Sequence, residues 1–393
     1  MYTLNTKINN YLATWLITMF CIVSIMIIVG GLTRLTDSGL SITEWELFSG
    51  FFPPLNKNEW LIYFDLYKKI PEFKLQNYDM TLQEFKIIFW WEWAHRFLGR
   101  LIGIGYILPL IYFSFKIKFS KLINLYFIFL LICFQGFLGW YMVSSGLVDR
   151  IDVSHFRLSA HLLIAFFILS LIYWNYLNLV NVKKISCKLN IIIPLSFLIL
   201  IFIQISFGAF VSGMDAGKIY NSWPLMGYSY FPNDNNIENL FQISALSDPS
   251  LVQFIHRNLA YAIGIFYLII FYKIYNTWPL MGNTYFPNDN NISNLFKLSA
   301  FNDPSLVQFL HRNLAYLITI FYLYIFYNIY INKMYNLYKS VIILGFFIFL
   351  QIILGILTIL YGATLYIAAM HQLSSVFLVS ASVYFLFLNR KSN

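Results

Sequence analysis

Charge is scarce in this sequence. Only 11% of its 393 residues are Asp, Glu, Lys or Arg, against 59% hydrophobic residues, and the mean hydropathy is +0.67. A chain with so little polar surface cannot cover its own exterior in water. That excludes an ordinary soluble globule and makes the bilayer part of its solvent. Cysteine is scarcer still, with three residues. Cys21 and Cys133 fall inside apolar stretches and Cys187 in an expected cytoplasmic loop, so no pair is placed to close a disulfide in an oxidising compartment. Alternation of apolar and polar positions over about ten residues is also missing, which excludes a transmembrane barrel.

What the chain does have is apolar stretches of helical length, near 11–33, 97–115, 122–143, 158–180, 189–211, 252–272, 307–331, 340–362 and 366–388. Each holds about 20 residues, enough to span a hydrocarbon core of about 30 Å at 1.5 Å per residue. The expected fold class is therefore an all-α integral membrane protein. The first stretch is too long for a cleaved signal, and no small-residue cleavage site follows it. The net charge of +9 sits in clusters: Lys116, Lys118 and Lys121; Lys183, Lys184 and Lys188; Lys333 and Lys339; Arg390 and Lys391. With Lys7, these predict cytoplasmic loops and cytoplasmic N- and C-termini. They account for the basic balance without a nucleic-acid partner.

Two repeats of different age organise the chain. In the faint one, Gly30, Asp37, Gly39 and Trp45 are answered by Gly208, Asp215, Gly217 and Trp223. His95-Arg96 is answered by His256-Arg257, Gln135 and Gly139 by Gln351 and Gly355, and His161 by His371. This predicts two pseudo-symmetric four-helix bundles, residues 1–185 and 186–393, with eight regular transmembrane helices. The second repeat is recent: residues 219–273 recur as 274–328 with 42 of 55 positions identical. A whole extra crossing would carry Lys333, Lys339, Arg390 and Lys391 to the wrong side. One copy of this loop-helix segment is thus expected to be displaced, re-entrant or at the bundle edge. Asp37 and Asp215 read as turn residues.

Five of the six histidines, His95, His161, His256, His311 and His371, head or sit near the start of a span. A lone histidine there is ordinarily interfacial or a cap. Two pairs at matched depth in symmetric halves argue for axial ligation of haem iron, with facing helices of a bundle supplying the imidazoles. Arg96, Arg257 and Arg312 each follow a histidine, and Arg157 precedes His161 by one helical turn. They are candidates to pair with haem propionates, the alternative being snorkelling to headgroups. Glu92 lies three residues before His95 on the same helix face, and the second half has no carboxylate at the matching place. An acid beside one haem site alone points to reaction in one half and electron transfer in the other.

The motifs GGLTRLTDSGLSITEW, WWEWAHRFLGR, QGFLGWYMVSSGL, RLSAHL, GAFVSGMDAGKIYNSWPLM, FIHRNLAY and AAMHQ, in this order from about residue 12 to 385, resemble the haem A synthase family. The likeness is to its mitochondrial and proteobacterial branch, which lacks outer-loop cysteine pairs. The resemblance implies oxidation of the C8 methyl group of haem O to a formyl group, giving haem A for cytochrome oxidase. It implies that the N-terminal half binds substrate haem O through His95 and His161, with Glu92 required. The C-terminal half would hold a haem b between His371 and either His256 or His311. His311 is favoured, because it precedes Gln351 by 40 residues as His95 precedes Gln135, whereas His256 precedes it by 95. The implied setting is the bacterial inner membrane, with lipid, a haem O synthase and cytochrome oxidase assembly as partners; a homo-oligomer is compatible with it. A two-haem electron carrier and a haem transporter are the rival readings.

Overall fold

The computed structural model describes residues 6–46, 49–148, 150–180, 182, 191–219, 226, 229–232, 234–257, 304–361 and 364–389. Among them the regular structure is helical, with no strand beyond one isolated bridge, Met226 to Ser229. The α-helices are α1 (Thr6–Leu35), α2 (Lys57–Tyr67), α3 (Pro71–Leu75), α4 (Leu82–Ser114), α5 (Phe119–Gly146), α6 (His155–Leu179) and α7 (Ile192–Gly213). They continue as α8 (Pro304–Ile331), α9 (Tyr338–Leu360) and α10 (Leu365–Leu388). Seven of the described helices are long and apolar enough to cross a membrane, and α8 adds a shorter apolar stretch, Leu317–Ile331. An all-α membrane protein is therefore what the chain is. The apolar stretch of the first duplicate lies mostly outside the described residues.

Local chemistry places the helix ends. At α1 the chain turns through Asp37, at φ 48, and Ser38 N–H returns to the Thr33 carbonyl at 3.0 Å. A left-handed residue closing a helix in this way is normally Gly or Asn; Asp tolerates it because its short side chain bonds locally. Here Asp37 accepts from Arg34 at 2.5 Å. Asp215 repeats the conformation at φ 49 after α7. Both are the turn residues their spacing predicted. The α4 helix departs from expectation: it begins at residue 82 rather than near 97, because Thr81 and Glu84 form a reciprocal capping box. His95 is consequently deep in a 33-residue helix instead of at its head.

The chain divides into two compact units, Met1–Val182 and Lys183–Asn393. In the first, α1 packs on α4 and α6, and α5 packs on the same two. The four helices form a ring in which α4 and α6 are diagonal. Inside, Trp15 donates to the Gly105 carbonyl at 2.9 Å against buried Tyr106, Leu110 and Phe113. Outside, Ile104, Leu108, Ile111, Phe127 and Leu130 are exposed, as lipid-facing positions should be. The helices α2 and α3, unanticipated from sequence, carry Trp60, Phe64 and Tyr67 onto Phe85 and Phe89 and cap the extended start of α4. In the second unit α7 packs on α8 and α10, and α9 on the same two. Phe231, Phe241 and Phe254 of the loop before α8 form an apolar cluster with Phe207 and Phe210 of α7, and Leu314 of α8 packs against it.

Candidate haem site

The diagonal placement of α4 and α6 brings His95 and His161 face to face inside the first unit. Their ring centroids are 6.4 Å apart, with the planes inclined by 56°. An iron held by two imidazole nitrogens at about 2 Å each separates the ring centres by roughly 6 Å, so the spacing fits one axially ligated iron. The other two helices of the ring supply space. A Cβ on Gly30 of α1 would come within 2.8 Å of the His95 ring, and one on Gly139 of α5 within 3.1 Å of the His161 ring. Both Nδ1 atoms are buried without a hydrogen-bond partner among the described residues. No three His, Cys, Asp or Glu side chains converge among the described residues. Haem iron needs only one or two protein ligands, because the porphyrin supplies four. The residues present fit a haem.

Glu92, one turn from His95, is buried and fully engaged. One carboxylate oxygen accepts from Ser41 Oγ and Ile42 N–H, each at 2.7 Å. The other accepts from Arg96 Nε at 3.0 Å and Nη2 at 2.6 Å. Arg96 goes on to the carbonyls of Glu44 and Ile42, so the pair clips the 41–44 segment onto α4. Most of the Arg96 donors are thus used within the protein. Arg157 lies over the Tyr141 ring at 4.8 Å and donates to Ser145 Oγ. In the second unit the residue three before each of the duplicated histidines, His256 and His311, is Gln253 or Gln308, the amide counterpart of Glu92.

The second unit repeats part of this geometry. Gly355 on α9 faces the His371 ring, where a Cβ would come within 3.1 Å. Gln351 Nε2 lies 3.3 Å from His371 Nε2. His256 is half-buried and Arg257 fully buried in the helical turn 249–257. His311 and Arg312 belong to α8, with side chains outside the described residues. The register of α8 is nevertheless informative: Tyr322, eleven residues after His311, lies against Gly345 of α9. Tyr106, eleven after His95, likewise lies against α5, donating to the Leu125 carbonyl at 3.1 Å.

Comparison with known proteins gives the family. The family model described as "Cytochrome oxidase assembly protein" matches residues 13–274 and again 271–383. A Heme A synthase of Pelagibacter ubique is 43% identical, the alignment covering 100% of both chains. The chain belongs to the haem A synthase family. A Heme A synthase of Flavobacterium johnsoniae is 35% identical over 96% of this chain and 97% of its own. One from Rickettsia bellii is 48% identical over 261 residues, 65% of this chain and 77% of its own. That makes the Rickettsia protein about 340 residues long, shorter than this chain by about one 55-residue repeat unit.

Gly30, Gly139 and Gly355 were visible in the sequence as repeated spacings, but not as ring-facing positions. Ser41 carried no signal at all, since its role depends on a loop folding back onto α4.

Proposed function

We propose that this chain is a membrane-bound haem A synthase, an oxidoreductase that converts the C8 methyl group of haem O to a formyl group. The observation that carries the reading is the facing pair His95 and His161, walled by Gly30 and Gly139. In this reading the chain is two four-helix bundles with eight crossings. The first holds the substrate haem O on His95 and His161. The second holds a haem b between His371 and His311, and that haem supplies one-electron redox capacity. The glycines give the two imidazoles room to face each other, and the apolar helices exclude water from the reacting edge. Glu92 takes up a proton beside the substrate; Arg96 holds that carboxylate in place and, with Arg157, presents positive charge to the propionates. Arg257 and Arg312 offer the same at the second haem. The partners are a haem O synthase that delivers substrate, the assembling cytochrome oxidase that takes the product, and lipid of the bacterial inner membrane. Both termini are cytoplasmic.

The test is acid extraction of haem from cells expressing this chain together with a haem O synthase. Formyl-bearing haem A is the expected product. Unchanged haem O would favour an electron carrier or transporter.

A further inference from the structure

Each unit places a glutamine one helical turn before the glycine that faces a ligand histidine, but the two are satisfied differently. In the second unit the Ser374 hydroxyl faces both Gln351 Oε1 and, at 2.8 Å, the His371 carbonyl, and shares its one proton between these two acceptors. In the first unit Gln135 Nε2 donates to the His161 carbonyl at 2.9 Å. A carbonyl can only accept, so this bond fixes which way round the amide lies. Gln135 Oε1 is left buried with no partner among the described residues. The cause is one substitution between the halves: three residues after the histidine the second unit has Ser374, and the first has Ile164. A buried acceptor is costly to leave unpaired, so this oxygen is open to a donor that the described residues do not provide.

Position narrows the donor. Gln135 lies one turn from Gly139 on the side away from Tyr141 and Ser145, the residues that hold Arg157. An anionic propionate edge belongs at the arginine end, which leaves the opposite edge of the macrocycle toward Gln135. On haem O that edge bears a hydroxyethylfarnesyl arm whose hydroxyl is a donor; protohaem has a vinyl group there and can donate nothing. We propose that Gln135 Oε1 accepts this hydroxyl and is a specificity-determining residue that distinguishes haem O from protohaem. The inference rests on the first unit being the substrate site.

The test uses full-length protein, purified with its resident haem from cells that make no haem O, and titrated with haem O or protohaem by Soret absorbance. Gln135→Leu should weaken haem O binding about tenfold, because a site built around a hydroxyl loses its advantage without the partner. Protohaem binding should stay within about twofold. Ile164→Ser supplies the donor that Ser374 gives in the second unit. It should likewise erode the preference for haem O while Gln135 remains. Equal weakening of both haems by Gln135→Leu would overturn the proposal, reducing Gln135 to a support for His161; so would unchanged haem O binding in both variants. Haem O binding that survives His161→Ala would overturn the assignment of this unit to the substrate, a failure distinct from that of Gln135.

Discussion

Glycine decides how much room the histidines have. A Cβ on Gly30 would collide with the His95 ring and one on Gly139 would crowd the His161 ring, and the further branches of a β-branched residue add to that overpacking. Gly139→Val is expected to cost about 1–3 kcal/mol of stability and to abolish haem bound in the first unit, read from the optical spectrum of the purified protein. Gly103→Ala, where a Cβ would meet nothing within 4 Å, should leave both unchanged. Glu92 is a different case, because its charge rather than its size is at issue. The second half carries glutamine at the equivalent place, so Glu92→Gln is a substitution the architecture already accommodates. It should eliminate haem A formation while the variant still binds haem. Near-normal conversion, measured by acid-extracted haem, would remove Glu92 from the chemistry and leave it as the clip for Ser41 and Ile42.

At the scale of elements, the cap formed by α2, α3 and the first turns of α4 carries a pH-dependent group. Glu72 is 3% exposed. One of its oxygens accepts from Tyr67 Oη at 3.0 Å, while the other has no partner among the described residues. Burial pushes its carboxyl up to about 8, with the charges of Glu92, Asp152 and Asp37 adding to the rise and the Tyr67 bond opposing it. The folded chain therefore holds this proton more tightly than the unfolded chain does. The stabilisation is complete below about pH 4.5, is lost progressively as pH rises toward 8, and is constant above. Proteolysis of the 57–81 segment in detergent should accelerate between pH 5 and 8, and Glu72→Gln should flatten that dependence. A wild-type profile as flat as the variant's would mean that Glu72 ionises freely. This cap was not legible in the sequence. Its residues alternate apolar and charged types without a long run, and only packing on Phe85 and Phe89 makes them a core.

At the scale of the molecule, the 55-residue duplication asks which copy works. The helical segment 249–257 of the first copy buries Leu251, Val252, Phe254 and Ile255 in an apolar cluster with the loop residues Phe231 and Phe241 and with Phe207 and Phe210 at the end of α7. The helix of the second copy, α8, packs on α7 and α9 as α4 packs on α1 and α5, with Tyr322 over Gly345 in the place of Tyr106 over α5. His311→Ala should therefore remove the haem b signal and His256→Ala should retain it. Loss with His256→Ala alone would reverse the assignment; loss with neither would mean that the copies substitute for one another. Excision of residues 219–273 is a stronger test. It joins Lys218 to Ile274, and both copies open with Ile-Tyr-Asn, so the local sequence at the junction is preserved. The shortened chain, near the length of the Rickettsia relative, should insert and bind haem b with an unchanged spectrum.

By itself the sequence determined the solvent, the element type and the candidate ligands. Hydropathy and length leave only helices to satisfy a backbone in lipid, and internal repetition puts histidine, glutamine and glycine at recurring intervals without any fold being known. Tertiary structure decided what those intervals are for. The ring order of α1, α4, α5 and α6 sets His95 and His161 on diagonal helices. It also sets Gly30 and Gly139 against the rings, and leaves Gln135 Oε1 without the partner that Gln351 Oε1 has in Ser374. None of these is a property of one helix, because each is a distance between side chains more than twenty residues apart in the chain, and only packing fixes such distances.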